Sequence, residues 1–198
     1  MSDQGDRPVG AILAGGAGTR IGGAKATVEL GGRPLLSYPL GALRSTLGEV
    51  VVVAKADTRL PDVGDAEVWI EPDEPRHPLT GILHALDRAG GRPVLVCAAD
   101  MPFVTGRAVE LLLDAHEEHC RAVVPVCEGA SQPLLALYGP LAADGLAMRA
   151  GAAGISLRDA VSAISPRLIE APWPEVFFNV NDESDLGRAE QRLRASRR

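Results

Sequence analysis

The chain lacks the residues on which several large protein classes depend. Its three cysteines, Cys97, Cys120 and Cys127, show no C-x2-C spacing, which argues against a structural zinc site and leaves reduced, structural thiols as the expectation. Basic charge is scarce too: 20 Lys and Arg against 26 Asp and Glu give a formal net charge of −6. A general nucleic-acid binder needs a clustered basic surface, so none is expected, and any bound phosphate must be handled locally. No apolar run approaches the roughly 20 residues that span a bilayer, and the opening MSDQGDRP has neither the basic start nor the apolar core of a signal peptide. The expectation is a soluble cytoplasmic protein without membrane contact. His77, His84, His116 and His119 form no H-x3-H pair and no serine sits in G-x-S-x-G, so neither that zinc site nor a serine triad is expected.

What is present is ordinary globular material: 198 residues, 46% hydrophobic, with 22 glycines that suit tight strand-to-helix turns. That length supports one sizeable domain, expected over 9–195 after a flexible 1–8, with a nucleotide-binding half (9–105) and a substrate half (106–195). Runs at 9–14, 49–54, 66–70 and 92–100 are short and continuously apolar, as in strands buried on both faces. Helical spacing fills 33–47, around an awkward Pro39, and 78–89, so the order implies a parallel sheet with right-handed crossovers. A helix over 105–120 capped by Thr105 precedes a strand at 122–126. The turn VCEGAS and the extended QPLLALYG then suggest a hairpin-like excursion. Helices near 139–148, 154–163 and 182–195 and a strand near 167–171 complete a Rossmann-like α/β three-layer sandwich, mostly parallel with a small antiparallel part.

Residues 11–26, AILAGGAGTRIGGAKA, place a glycine-rich loop directly after the first strand. Glycines allow backbone N–H groups to turn toward an anion, and in open α/β sheets ligands bind beyond the carboxyl ends of the strands. The Walker A pattern fails, because Ala26 stands where a metal-binding hydroxyl belongs, and G-x-G-x-x-G fails because its last position is Ile21.

The remaining pattern, with Leu13, Ala14, Gly15, Gly16, Arg20, Gly22 and Lys25, resembles the L-A-G-G-x-S-x-R-M-G-x-D-K loop of the molybdenum cofactor guanylyltransferases. Three further segments resemble the family in order: ADMP (99–102), QPLLALY (132–138) and FFNVNDESDL (177–186). The resemblance implies transfer of GMP from GTP to the terminal phosphate of molybdopterin, with release of pyrophosphate. Attack on an α-phosphate spreads negative charge over oxygens that Arg20, with its planar fork, and Lys25, as a mobile point charge, can offset.

The resemblance also implies that Leu13, Ala14, Gly15, Gly16 and Lys25 hold GTP and that Asp100 binds Mg²⁺ beside the triphosphate. An aspartate capping the turn before Pro102 is the plainer alternative for Asp100. Asp73, in EPDEPRHPLTGI, is assigned to guanine through its N1–H and 2-amino donors, with Glu71 and Glu74 as neighbouring acids. Gln132, Asn179 and Asn181 are candidate pterin contacts, although Asn181 or Asp182 serves equally as a helix cap. Val53 replaces a nucleotide-contacting asparagine, and Lys55 nearby reads equally as a surface lysine. Transient contacts with cofactor-delivery proteins or molybdoenzymes are a further expectation.

A cytidylyltransferase for the same pterin is the nearest rival; its loop reads L-A-A-G, so Gly15 favours the larger purine. Other small-molecule nucleotidyltransferases share the loop. Ala24, Val53 and His77 depart from the family pattern and leave a non-catalytic nucleotide-binding module as the alternative of another class.

Overall fold

The computed structural model describes residues 7–15, 25–150 and 154–196. Strand β1 (Val9–Leu13) is followed by a small ribbon, β2 (Glu29–Leu30) with β3 (Arg33–Pro34), then α1 (Ser37–Arg44) and β4 (Val50–Ala54). β5 (Val68–Ile70), α2 (Pro78–Arg88), β6 (Val94–Ala98) and α3 (Gly106–Asp114) continue the alternation. β7 (Ala122–Cys127), β8 (Ala130–Ser131) and β9 (Leu135–Tyr138) follow, then α4 (Ala143–Ala150), α5 (Leu157–Ser162), β10 (Arg167–Glu170) and α6 (Glu183–Ala195).

The main sheet runs β10-β7-β9-β6-β1-β4-β5, with β8 paired to β7. β6, β1, β4 and β5 are mutually parallel, and β9 is antiparallel to both β6 and β7. The antiparallel excursion expected after residue 126 is therefore β8 together with β9, and β9 inserts between two strands of the main direction.

Alternation within the strands builds two separate cores. Ile12, Val50, Val52, Leu95 and Cys97 face the layer of α1 and α3, where Leu40, Leu43, Val109 and Leu112 pack. Ala11, Val51, Val53, Trp69 and Val96 face the opposite layer, where Ile82 of α2, Leu146 of α4 and Val161 of α5 pack. Strands covered on both faces have no polar face to show, hence the continuously apolar runs. β5 departs from that expectation: it is the sheet edge, Trp69 is buried, and Val68 and Ile70 are exposed.

Two helices are shorter than their patterns predict. α1 starts at Ser37 because 33–34 pair as a strand, and this places Pro39 in the first helical turn, where its missing N–H has no intrahelical partner to lose. α3 stops at Asp114, where its apolar periodicity gives way to AHEEH; Thr105 caps its start by accepting from the Ala108 N–H. Cys97 and Cys127 are buried free thiols and Cys120 is partly buried and free. No helix among the described residues is long and apolar enough to cross a membrane.

Candidate nucleotide site

From β1 the chain leads to β4 on one side, and from β5 it crosses through α2 to β6 on the other. The cleft between the ends of β1 and β6 is thus a topological switch point, where open α/β sheets bind ligands. A cavity of about 240 Å³ opens there. Leu13, Ala14 and Gly15 leave β1 along one wall, and Ala98, Ala99 and Asp100 leave β6 along the other. Hydrogen bonds fix the two walls: Ala14 N–H donates to Val53 O at 2.8 Å and Ala99 N–H to Leu13 O at 3.1 Å.

The third wall follows β4 and β5. Lys55 comes directly after β4 and is only 2% exposed, and Glu71 comes directly after β5 at 7%. Lys55 Nζ lies 3.4 Å from Glu71 Oε1 and donates to Pro72 O at 2.5 Å. Glu71 Oε2 is buried and has no hydrogen-bond partner among the described residues. Burial raises the Glu71 carboxyl above its ordinary 4.5, and the Lys55 charge opposes that rise.

Two glycines shape this corner. A Cβ at Gly15 would stand 2.2 Å from Glu71 Oε1, and a Cβ at Gly81 would stand 3.1 Å from Oε2. A glycine inside α2 costs about 1 kcal/mol relative to alanine, and the close approach of the carboxylate is the compensating reason. His77 and Pro78 close the fourth side, where His77 Nδ1 caps α2 by accepting from the Leu79 N–H at 3.2 Å.

The structure brings Leu13, Ala14, Gly15 and Asp100 together at this cavity. Gly16 and Arg20 lie outside the described residues, as does the side chain of Lys25, whose backbone opens a 3-10 turn, Lys25–Thr27. Ala26, next along, lines the cavity. Asp73 does not reach it: this residue is exposed on the loop before α2, and Glu71 occupies the corner instead. The cause is sheet alternation carried one pairing beyond the strand. Glu71 N–H donates to Ala54 O at 2.9 Å, so the buried–exposed rhythm of Trp69 and Ile70 turns Glu71 inward.

Gln132 is outside the cavity lining, with Nε2 donating to Ala130 O at 3.3 Å, while its neighbour Leu134 lines the cavity and accepts from Ala98 N–H. The 179–181 segment is tied to the site by Val180 N–H, which donates to Asp100 O at 2.9 Å. Asn179 Nδ2 donates to Phe177 O, and its buried Oδ1 has no hydrogen-bond partner among the described residues. Asn181 precedes the cap of α6: Asp182 accepts from Asp185 N–H, and Asp185 accepts from Asn181 N–H.

Lys55 as a buried member of the site was not legible in its type or spacing, since a lysine at a strand end is commonly solvated. Glu71 left one usable signal, the unexplained glycine at 81 within an otherwise good helix. Among the described residues no three His, Cys, Asp or Glu side chains gather as a ready metal cage. A lone Asp100 at the cavity still fits Mg²⁺, which takes few carboxylates and completes its shell with phosphate oxygens and water.

Comparisons with known proteins identify the family. Residues 10–168 match the MobA-like NTP transferase domain. A molybdenum cofactor guanylyltransferase of Cereibacter sphaeroides is 33% identical over 193 residues, 95% of this chain and 98% of its own. A probable molybdenum cofactor guanylyltransferase of Bacillus velezensis is 30% identical over 188 residues, 91% of this chain and 93% of its own. The crystal structure of molybdopterin-guanine dinucleotide biosynthesis protein A from Archaeoglobus fulgidus superposes with a TM-score of 0.74 at 28% identity, covering 94% of this chain and 99% of that one. On the family match and these full-length relatives, the chain belongs to the MobA-like NTP transferase domain family.

Proposed function

We propose that this chain transfers GMP from GTP to the terminal phosphate of molybdopterin and releases pyrophosphate. A phosphate oxygen of the pterin substrate attacks the α-phosphorus; the new P–O bond forms as the bond to the β-phosphate oxygen breaks. The observation that carries the reading is one cavity at the switch point that gathers the end of the glycine loop, a buried carboxylate at Glu71 and Asp100.

Each group has work in that reaction. Leu13, Ala14 and Gly15 present backbone to the nucleotide, Gly16 is a further member of the GTP site, and Arg20 and Lys25 offset charge on the triphosphate as it develops. Glu71, rather than Asp73, takes the guanine donors, because only Glu71 lines the cavity of this acidic stretch. Asp100 would hold Mg²⁺, which when bound supplies further charge neutralisation on the phosphates. The pterin is assigned to the half formed by 106–195. Gln132, Asn179 and Asn181 are its candidate partners, a reading supported by the ties of 134 and 180 to the end of β6. The reaction is placed in the cytoplasm, with transient hand-over of product to delivery proteins or molybdoenzymes.

Pyrophosphate release with molybdopterin, Mg²⁺ and each nucleoside triphosphate tests the reading. GTP is expected to be preferred; preference for CTP refutes it in favour of a cytidylyltransferase. Lys25→Ala and Asp100→Ala are each expected to lower transfer by at least about 100-fold. Transfer that survives both changes refutes this mechanism, whereas a wild type that binds GTP and transfers nothing is a nucleotide-binding module.

A further inference from the structure

Lys55 is a buried cation to which the transfer chemistry above gives no task. Its backbone is pinned by reciprocal bonds with Thr58, whose Oγ1 accepts from Lys55 N–H at 3.1 Å and whose N–H donates to Lys55 O at 3.0 Å. Its ammonium spends one hydrogen on Pro72 O and lies within ion-pair distance of Glu71 Oε1. Buried ion pairs are seldom a net gain over apolar packing of the same volume, so stability alone gives a weak reason for this one. The pair also sits where two glycines are stripped back around the same carboxylate.

We propose that Lys55 is a positioning residue that sets the base preference of the cavity: it holds Glu71 by Oε1 and keeps Oε2 an acceptor for a base with two adjacent N–H donors. The inference rests on the guanine reading above. Guanine offers N1–H beside its 2-amino group, whereas cytosine offers an acceptor, N3, beside its 4-amino donor. An ionised carboxylate only accepts, and matches the first edge; a protonated one carries a donor beside an acceptor, and matches the second.

The walls around Glu71 otherwise favour the protonated form. Leu13, Ala14, Ala98 and Ala99 are apolar, and burial already raises the Glu71 carboxyl. The other charged or titratable groups facing the same cavity among the described residues are Arg76 and His77 before α2 and Asp100 after β6. Arg76 is committed to Asp57 at 2.7 Å and Glu74 at 3.7 Å, and His77 Nδ1 to the Leu79 N–H. Lys55 is the cation at ion-pair distance from Glu71.

The test compares wild type with Lys55→Met, Lys55→Arg, Glu71→Gln and the double variant K55M/E71Q, measuring KM and kcat for GTP and CTP and the equilibrium binding of each nucleotide. Lys55→Met is expected to lower the GTP-over-CTP ratio by about 10- to 100-fold, through KM and binding rather than kcat, since a charged hydrogen bond is lost on guanine alone. Lys55→Arg is expected to restore most of it. In K55M/E71Q, which carries no buried charge at the corner, the ratio should equal that of Glu71→Gln, because an amide has nothing for Lys55 to hold ionised. The double variant decides the matter even if Lys55→Met alone does not fold: a ratio that differs more than threefold from Glu71→Gln overturns the proposal. Equal losses on GTP and CTP in Lys55→Met, with wild type preferring GTP, overturn it as well. A wild type that prefers CTP instead removes the guanine reading itself, and this inference with it.

Discussion

Replacing Gly15 by alanine probes the packing of the corner around Glu71 in one step. The new Cβ would stand 2.2 Å from Glu71 Oε1, and ordinary contact begins at 3.4 Å, so the carboxylate must withdraw by about 1.2 Å. Glu71 is held between Gly15, Gly81 and Lys55, and a retreat of that size disrupts the 3.4 Å ion pair. Breaking a buried pair outright costs about 3–5 kcal/mol. Partial relaxation of the Glu71 side chain and the stiffer unfolded chain of the alanine variant, worth about 0.4–1 kcal/mol, work against that cost. The expected net loss is therefore about 2 kcal/mol of stability. If the same displacement is felt by bound nucleotide, GTP affinity falls by roughly 30-fold. Urea unfolding followed by tryptophan fluorescence measures the first quantity, and equilibrium dialysis with GTP the second. Glu71→Asp shortens the side chain by one methylene, so it should recover at least half of both losses in the Gly15→Ala background. A Gly15→Ala protein within about 0.5 kcal/mol of wild type, the range of a plain surface change, and with unaltered GTP affinity would refute the reasoning.

Two further changes address the frame around the site. The Asp185 carboxyl is held below its ordinary 3.8 by the Asn181 backbone N–H, with Arg188 adding to the effect. A depressed folded-state value means that its stabilisation is complete above pH 3.8 and is lost as pH falls through the lower, folded-state value, so Asp185→Asn should flatten the acid limb of the stability–pH curve measured by denaturant unfolding. Tyr138 is fully buried in β9 and its hydroxyl donates to Pro133 O at 2.8 Å, while burial raises the phenol well above its ordinary value. Tyr138→Phe should cost about 0.5–1.5 kcal/mol in chemical denaturation and leave nucleotide preference unchanged, since Tyr138 does not line the cavity.

Much of this fold is written locally. The continuously apolar runs of β1, β4 and β6 announce strands covered on both faces, and the cap at Thr105 and the Asp182 start of α6 lie where their residue types suggest. Leu13, Ala14, Gly15 and Asp100 were also readable, because strand ends in a parallel sheet converge on one edge whatever the side chains between them. β5 misled because its apolar composition is that of a buried strand, and only its place at the sheet edge leaves Val68 and Ile70 bare.

The corner around Glu71 was decided elsewhere. Sequence order and residue type left Glu71, Asp73 and Glu74 interchangeable acids and Lys55 a lysine that water could have claimed. Pairing of Glu71 N–H with Ala54 O set which acid turns inward, and the approach of α2 through Gly81 and of the β1 end through Gly15 closed the space around it. Strand identity follows from neighbours along the chain, so the sequence by itself determines it. Burial of a charge depends on segments dozens of residues apart meeting at one point, and that meeting exists only in the tertiary structure.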